Sequence, residues 1–258
     1  MIGAIVGDIL GAYYEMHPTK KLRFRLFHRQ RRFTDDTVLT VAIADWLLNS
    51  GDLIDTLRSY YKLFPQAGFG KSFIHWANSS HREPYNSLSN GSAMRVSPVG
   101  FAFDSLSAVL AKAKESAEIT HNHVEGIQGA QATAAAICLA RNGEDKASIR
   151  DFVQTTFRYD LNRSISEIRP HYRFEVSCRR SVPESIIAFL ESTDYESAVR
   201  NAISLGGDAD TMACIAGGIA EAYYGGVPKH IQRRALRVLD KRLLAVADQF
   251  HARYLGTG

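Results

Sequence analysis

Two short acidic clusters lie far apart in the chain, Phe33-Thr34-Asp35-Asp36-Thr37 and Gly206-Gly207-Asp208-Ala209-Asp210-Thr211, each heading an apolar segment. Both set paired carboxylates beside threonine hydroxyls. Asp and Thr are favoured helix caps, but one helix start uses one capping oxygen, so a second adjacent carboxylate is surplus to that task. Four carboxylates brought together would repel one another at neutral pH unless cations compensated them. Hard divalent ions such as Mg²⁺ or Mn²⁺ take oxygen ligands of this kind. The clusters therefore point to a metal site.

Two further polar segments sit where helices begin. Ser89-Asn90-Gly91-Ser92-Ala93-Met94-Arg95 offers amide, hydroxyl and guanidinium donors around a glycine, which suits a ribose or a phosphate as well as a simple turn. Thr120-His121-Asn122-His123-Val124-Glu125-Gly126 places two imidazoles just ahead of an alanine-rich helix. The contiguous His-Asn-His lacks the ββα context of an HNH nuclease. Asp208-Ala209-Asp210-Thr211 is one residue short of a haloacid-dehalogenase loop, and no buried strand precedes it.

The elements that must position these residues are helical nearly throughout. Ile2, Ile5, Val6, Ile9, Leu10 and Tyr13 recur at three- and four-residue steps, so they share one helical face. Gly3, Gly7 and Gly11 form an adjacent stripe that admits another backbone at close range, which marks the first helix as central. Comparable patterns predict helices near 37–49, 53–64, 104–118, 125–141, 147–157, 183–191, 195–204, 210–224 and 229–252. Polar loops are expected at 78–92, 119–124 and 158–182, the last long enough to be a lid, a binding loop or a crossover. Alternation of the strand type is almost absent. The expectation is an all-α orthogonal bundle forming a single domain over 1–258, with no linker or repeat dividing it.

Composition is that of a soluble globular protein, with 45% hydrophobic and 22% charged residues among 258. No apolar run reaches membrane-spanning length and no leader-like start is visible, which reads as a cytoplasmic protein. Cys138, Cys178 and Cys214 are odd in number and widely spaced, so neither a disulfide framework nor a zinc site is indicated. The net charge of +4 is too modest to imply nucleic-acid binding by itself. Its distribution is uneven, since Lys20, Lys21, Arg23, Arg25, His28, Arg29, Arg31 and Arg32 crowd the stretch before the first acidic cluster. Such a run forms a solvated loop or steers a polyanion such as a diphosphate or a modified nucleic acid.

Taken in order, the motifs resemble those of the ADP-ribosylglycohydrolase family. They are Gly7-Asp8-Ile9-Leu10-Gly11 with Glu15, the Thr-Asp-Asp-Thr cluster, the Asn-Gly-Ser-Ala-Met-Arg loop, the Thr-His-x-His segment, and Gly-Gly-Asp-Ala-Asp-Thr running into Ile215-Ala216-Gly217-Gly218. The resemblance spans roughly residues 1–227 and implies an all-α fold with a dinuclear Mg²⁺ or Mn²⁺ centre at one end of the bundle. It implies that Thr34, Asp35, Asp36, Asp208, Asp210 and Thr211 ligate two divalent ions, with Glu15, Asp36 and Asp210 taking part in catalysis. Asn90, Gly91, Ser92, Met94 and Arg95 would lie near the ADP-ribose, and His121, His123 and Gly126 would border the cleft. Val124 stands where relatives often carry proline.

The activity implied is hydrolysis of the glycosidic bond between ADP-ribose and an acceptor, either a protein side chain or a nucleobase, with release of ADP-ribose. Three alternatives stand beside it. One is an ADP-ribose-binding module without useful turnover. Another is a hydrolase of a related nucleotide or of an O-linked ADP-ribose ester. The third is a structural protein on the same fold, and the complete ligand set argues against it.

Overall fold

The computed structural model describes residues 1–256, and within them the secondary structure is helical. In chain order the helices are α1 (Ile2–Met16), α2 (Asp35–Asn49), α3 (Leu53–Leu63), α4 (Lys71–Asn78), α5 (Gly91–Met94), α6 (Ser97–Ala102), α7 (Leu106–Glu118) and α8 (Val124–Arg141). They continue as α9 (Lys146–Phe157), α10 (Ile165–Ile168), α11 (Cys178–Leu190), α12 (Tyr195–Ser204), α13 (Ala209–Tyr223), α14 (Lys229–Ala235) and α15 (Lys241–Tyr254). The one β-type contact among the described residues is an isolated antiparallel bridge between Ser89 and Ser177. The all-α expectation holds.

The glycine stripe of α1 finds its partner near the other end of the chain. A Cβ on Gly3, Gly7 or Gly11 would run into the backbone of Gly217, Ala213 or Ala209, so α1 and α13 lie antiparallel with their main chains in contact. Ile5, Val6, Ile9, Ala213, Cys214 and Ala216 are fully or almost fully buried around this seam. The Glu221 carboxylate accepts hydrogen bonds from the Ile2 and Gly3 amides, at 3.2 and 2.8 Å, and so satisfies first-turn donors of α1. An antiparallel pair in this register brings the end of α1, where Glu15 sits, beside the start of α13, where Asp208 and Asp210 sit. Helix geometry alone thus delivers one side of the site.

The other side is set by a buried carboxylate on α1. Asp8 lies on an otherwise apolar stretch and accepts from the Thr34 amide at 2.9 Å, the Thr34 hydroxyl at 2.8 Å and the Thr37 amide at 3.2 Å, and also from the Thr37 hydroxyl. An anion is favoured at a helix N-terminus, and Asp8 holds that of α2 from a neighbouring helix.

Several elements differ from the sequence-based expectation. The helix predicted to start at 183 begins at Cys178, with Pro183 inside it. Pro183 cannot donate to the carbonyl one turn back, a loss confined to the helix's second turn. The helix predicted over 229–252 breaks in two, because Asp240 caps a new start by accepting from the Arg242 amide at 2.8 Å. Helices α4, α5, α6 and α10 are short, and periodicity over eight residues or fewer is a weak signal. The 158–182 segment is a crossover: α10 is closed by a capping box of Ser164 and Glu167, and the remainder pairs with 88–90 through Asn90 N donating to Val176 O at 2.7 Å. All three cysteines are buried and free. No described helix is long and apolar enough to cross a membrane.

Candidate active site

The starts of α2, α5 and α13 and the end of α1 meet at the floor of a cleft of about 400 Å³, within the range of sites that enclose small ligands. Its floor carries Glu15, Thr34, Asp35, Asp36, Asp208, Asp210 and Thr211, so both acidic clusters open into the same space. Carboxylate oxygens of Glu15, Asp208 and Asp210 all lie within 4.8 Å of one another. The two clusters also touch directly. The Thr211 hydroxyl donates to Asp36 Oδ2 at 3.2 Å, joining α13 to α2.

Desolvation and mutual repulsion dominate the floor electrostatics. Burial, then the neighbouring Asp8, push the Asp35 carboxyl up to about 8. Asp36 is driven well above the carboxylate range by burial and then by Asp8, Asp35 and Asp208, and Asp210 by burial and then by Asp208 and Asp36. Glu15 is raised by partial burial and by Asp208. Asp8 rises only to about 6, because its hydrogen bonds from Thr34 and Thr37 offset part of the burial cost. Asp36 Oδ1 is buried with no hydrogen-bond partner, which is costly unless something occupies it. An orphaned carboxylate oxygen among five acids in an all-oxygen donor set fits hard divalent cations.

The walls are built by segments of different kinds. Asn90 donates its side-chain amide to Asp208 Oδ2 at 2.8 Å, fixing that carboxylate from α5. Met94 lines the cleft while its carbonyl accepts from Thr40 and Cys214 at 3.2 Å each, clamping α5 between α2 and α13. Arg95 is fully buried, and its Nη2 donates to the Ser116 carbonyl at 2.7 Å and the Thr120 hydroxyl at 2.8 Å. Its Nε and Nη1 have no partner, and burial lowers its pKa to about 10, still cationic at neutral pH. The chain of contacts continues through Thr120 to His121 Nδ1 at 2.8 Å and from His121 Nε2 to Ser89 Oγ at 3.0 Å. Burial, with Arg95 nearby, pushes the His121 pKa well down, so the imidazole is neutral.

The structure brings Asn90, Gly91, Met94, Arg95 and His121 to the cleft but leaves Ser92, His123 and Gly126 off its lining. His123 instead caps α8, its Nδ1 accepting from the Glu125 amide at 3.2 Å. The Ser92 hydroxyl donates to the Gly126 carbonyl at 2.7 Å, and Gly126 packs under the Ser87 carbonyl and His121. Ser92 and Gly126 thus back the wall, while His123 serves α8.

Other lining residues lay outside the sequence-based set. Arg32 comes from the basic stretch, Gly68, Gly70, Lys71, Ser72 and Phe73 from the turn into α4, Tyr85 from the loop after it, and Phe174 and Val176 from the crossover. The signal for the α4 turn was Gly68-Phe69-Gly70-Lys71-Ser72, in which Gly70 caps the helix with no side-chain hydrogen bond. Its first amides therefore have no capping side chain. The Ala67 carbonyl in the same turn accepts from the Asp35 amide at 2.9 Å, so this wall is tied to the acidic floor.

Comparison with known proteins bears on the family and the fold. The chain is 28% identical to human ADP-ribosylhydrolase ARH3 over 87% of its own length and 84% of that protein. It is 25% identical to the ADP-ribosylarginine hydrolase Tri1 of Pseudomonas putida (strain GB-1), covering 93% of this chain and 77% of Tri1. A solved ADP-ribosylglycohydrolase-related protein complex superposes with a TM-score of 0.73 at 23% identity, over 98% of this chain and 97% of that one, which shows a shared fold. The sequence profile described as ADP-ribosylglycohydrolase matches residues 1–257, and on that match the chain belongs to the ADP-ribosylglycohydrolase family.

Proposed function

We propose that this protein is a metal-dependent hydrolase that cleaves the glycosidic bond joining ADP-ribose to a modified acceptor. The observation that carries the reading is the convergence of Glu15, Asp35, Asp36, Asp208 and Asp210 on one cleft floor, with Asp36 Oδ1 left without a partner. Thr34, Asp35 and Asp36 on one side and Asp208, Asp210 and Thr211 on the other would hold two divalent ions, Mg²⁺ or Mn²⁺. When bound, such ions supply Lewis-acid polarisation of ribose hydroxyls and of a water.

The protein's own groups do the rest. The α4 N-terminus, with Lys71 and Ser72, suits a diphosphate, since unpaired amides and the helix dipole favour anions there. Buried Arg95 stiffens the α5 wall from behind through Ser116 and Thr120, and neutral His121 fixes it through Thr120 and Ser89. Asn90 holds Asp208 in place. Glu15 stands at the end of α1 beside Asp208 and Asp210, and its raised pKa suits a group that holds or accepts a proton during hydrolysis. Water adds across the bond at the anomeric carbon: its oxygen joins the ribose, one proton goes to the acceptor, and the transition state carries oxocarbenium character.

The test is release of free ADP-ribose from ADP-ribosyl-arginine, ADP-ribosyl-serine and ADP-ribosylated nucleic acid, with Mg²⁺, with Mn²⁺ and with chelator. Metal-dependent release from at least one substrate is expected. ADP-ribose binding that raises thermal stability without any release would mark a binding module instead.

A further inference from the structure

Arg32, at the end of a basic segment, stands in the cleft wall beside the acidic floor. Between Met16 and Thr34 the chain carries Lys20, Lys21, Arg23, Arg25, Arg29, Arg31 and Arg32 and no acid, and among the described residues none of these seven forms an ion pair. The segment is irregular yet pinned. Tyr14 donates to the Arg25 carbonyl at 2.6 Å, Arg200 donates to the Phe24 carbonyl at 3.0 Å and stacks on the Phe24 ring, Tyr13 stacks on His28, and Leu26 and Phe27 are buried. Leu26, Phe27 and the Phe24 and Arg25 carbonyls thus face the body, while Leu22, Arg23, Arg25 and Arg29 are exposed.

This strap joins a second arginine-rich element. Lys20 donates to the Tyr172 carbonyl at 2.7 Å and also to the Leu205 carbonyl; burial lowers its pKa, and the nearby Arg173 and Arg169 lower it a little more. Beyond Tyr172 opens a groove of about 730 Å³ on the 158–184 segment. Arg158, Arg173 and Arg179 line it without an ion pair among the described residues, whereas Arg163 and Arg180 are matched by Glu184 and Glu175. Phe174 belongs to both the groove and the cleft and is 58% exposed.

We infer that the strap and the groove form a binding surface for the backbone of a single-stranded nucleic acid carrying the ADP-ribose that enters the cleft. Unmatched cations along an exposed segment suit successive phosphates, and an exposed aromatic ring between two cavities suits base stacking, the combination found in single-strand binding. This rests on the hydrolase reading above and names its acceptor class.

The test separates the two. Fluorescence anisotropy would follow binding of an unmodified labelled single-stranded oligonucleotide by the full chain across a salt series, beside polyglutamate and an anionic vesicle as controls. Binding should weaken with salt, and Arg23→Ser/Arg25→Ser/Arg29→Ser should lower the log-log salt slope by about 2, since each neutralised phosphate on a single strand contributes roughly 0.7. The same variant should lose about tenfold or more in kcat/KM on an ADP-ribosylated oligonucleotide and keep its rate on a small ADP-ribosyl substrate. Phe174→Ala should weaken single-strand binding with its salt slope unchanged. No salt-dependent binding, equal binding by the triple variant, or equal capture of polyglutamate or vesicles would overturn the proposal. Loss of hydrolysis on every substrate with oligonucleotide binding intact would instead sink the hydrolase reading and leave the surface standing.

Discussion

The floor and the rim of the cleft are built by different means. The floor hangs on helix ends held by buried hydrogen bonds: Asp8 accepts from Thr34 and Thr37, Thr211 donates to Asp36, and backbone contact between α1 and α13 sets the spacing. The rim takes Arg32 from the 17–32 strap and Phe174 and Val176 from the 158–177 crossover, segments tied down by single side chains such as Lys20, Tyr14 and Arg200. Positions that must hold a ligand to a fraction of an ångström lie where neighbouring helices over-determine them. If the acceptor meets the rim, as proposed, its contacts lie where substitution disturbs less packing, and reaction and specificity would be separable in this molecule.

The sharpest way to break that contrast is to remove a floor carboxylate. Asp36→Ala should take ADP-ribose release below detection, since losing even an outer partner of a metal site costs roughly 10- to 100-fold. Its melting in chelator should not fall, because folding no longer has to bury and protonate this carboxyl. Circular dichroism with a turnover assay checks both. Divalent cation should next stabilise the wild type by about 2.7 kcal/mol at a concentration about 100 times its Kd. In chelator the sign with pH follows from raised folded-state values: Asp35 reaches about 8 and Asp8 about 6, so above the ordinary carboxylate range the folded state binds more protons than the unfolded one. Metal-free stability should thus fall as pH rises from about 4 to about 8, and added cation should reverse the loss at the upper end. Melting curves with and without chelator at several pH values would show it.

Smaller effects sharpen the division. Gly7→Ala forces α1 and α13 apart at the Ala213 carbonyl and should cost about 1–3 kcal/mol in urea unfolding, with Glu15 displaced and turnover reduced in the remaining folded protein. His123→Ala removes only a cap of α8, so roughly 0.5–1 kcal/mol of stability should go while kcat/KM stays near wild type. The same change at His121, inside the wall, should lower activity measurably. Equal activity loss at both histidines would erase the distinction drawn between them.

Much of the floor could be read from sequence, and the reasons are physical. Surplus acid at Asp35-Asp36 and Asp208-Asp210 marked the two halves of the acidic floor, and the glycine stripe of α1 pointed to a close backbone partner, which is α13. Asp8 stood within the first motif without a role, although one acid among Ile5, Val6, Ile9 and Leu10 on a buried helix needs donors from somewhere. His123 was expected to border the cleft on the family resemblance, whereas its side chain caps α8, a role that a string of letters does not separate from a place in a site. The walls were harder to anticipate. Phe174, Val176, Tyr85 and Phe73 reach the cleft through tertiary contacts between short or irregular segments, which carry no period for a sequence to display.

The seam between α1 and α13 also bears on when the protein becomes competent. Its two strands of backbone come from opposite ends of the chain, and the Thr211 to Asp36 bond spans the same gap. During synthesis the first half-site must wait with its acids facing solvent until the second leaves the ribosome, because contacts so remote in sequence form late. Any cation the floor takes up would then load as a finishing step of maturation rather than as a nucleus for it, and a chain truncated before residue 208 would lack the donors that complete the floor.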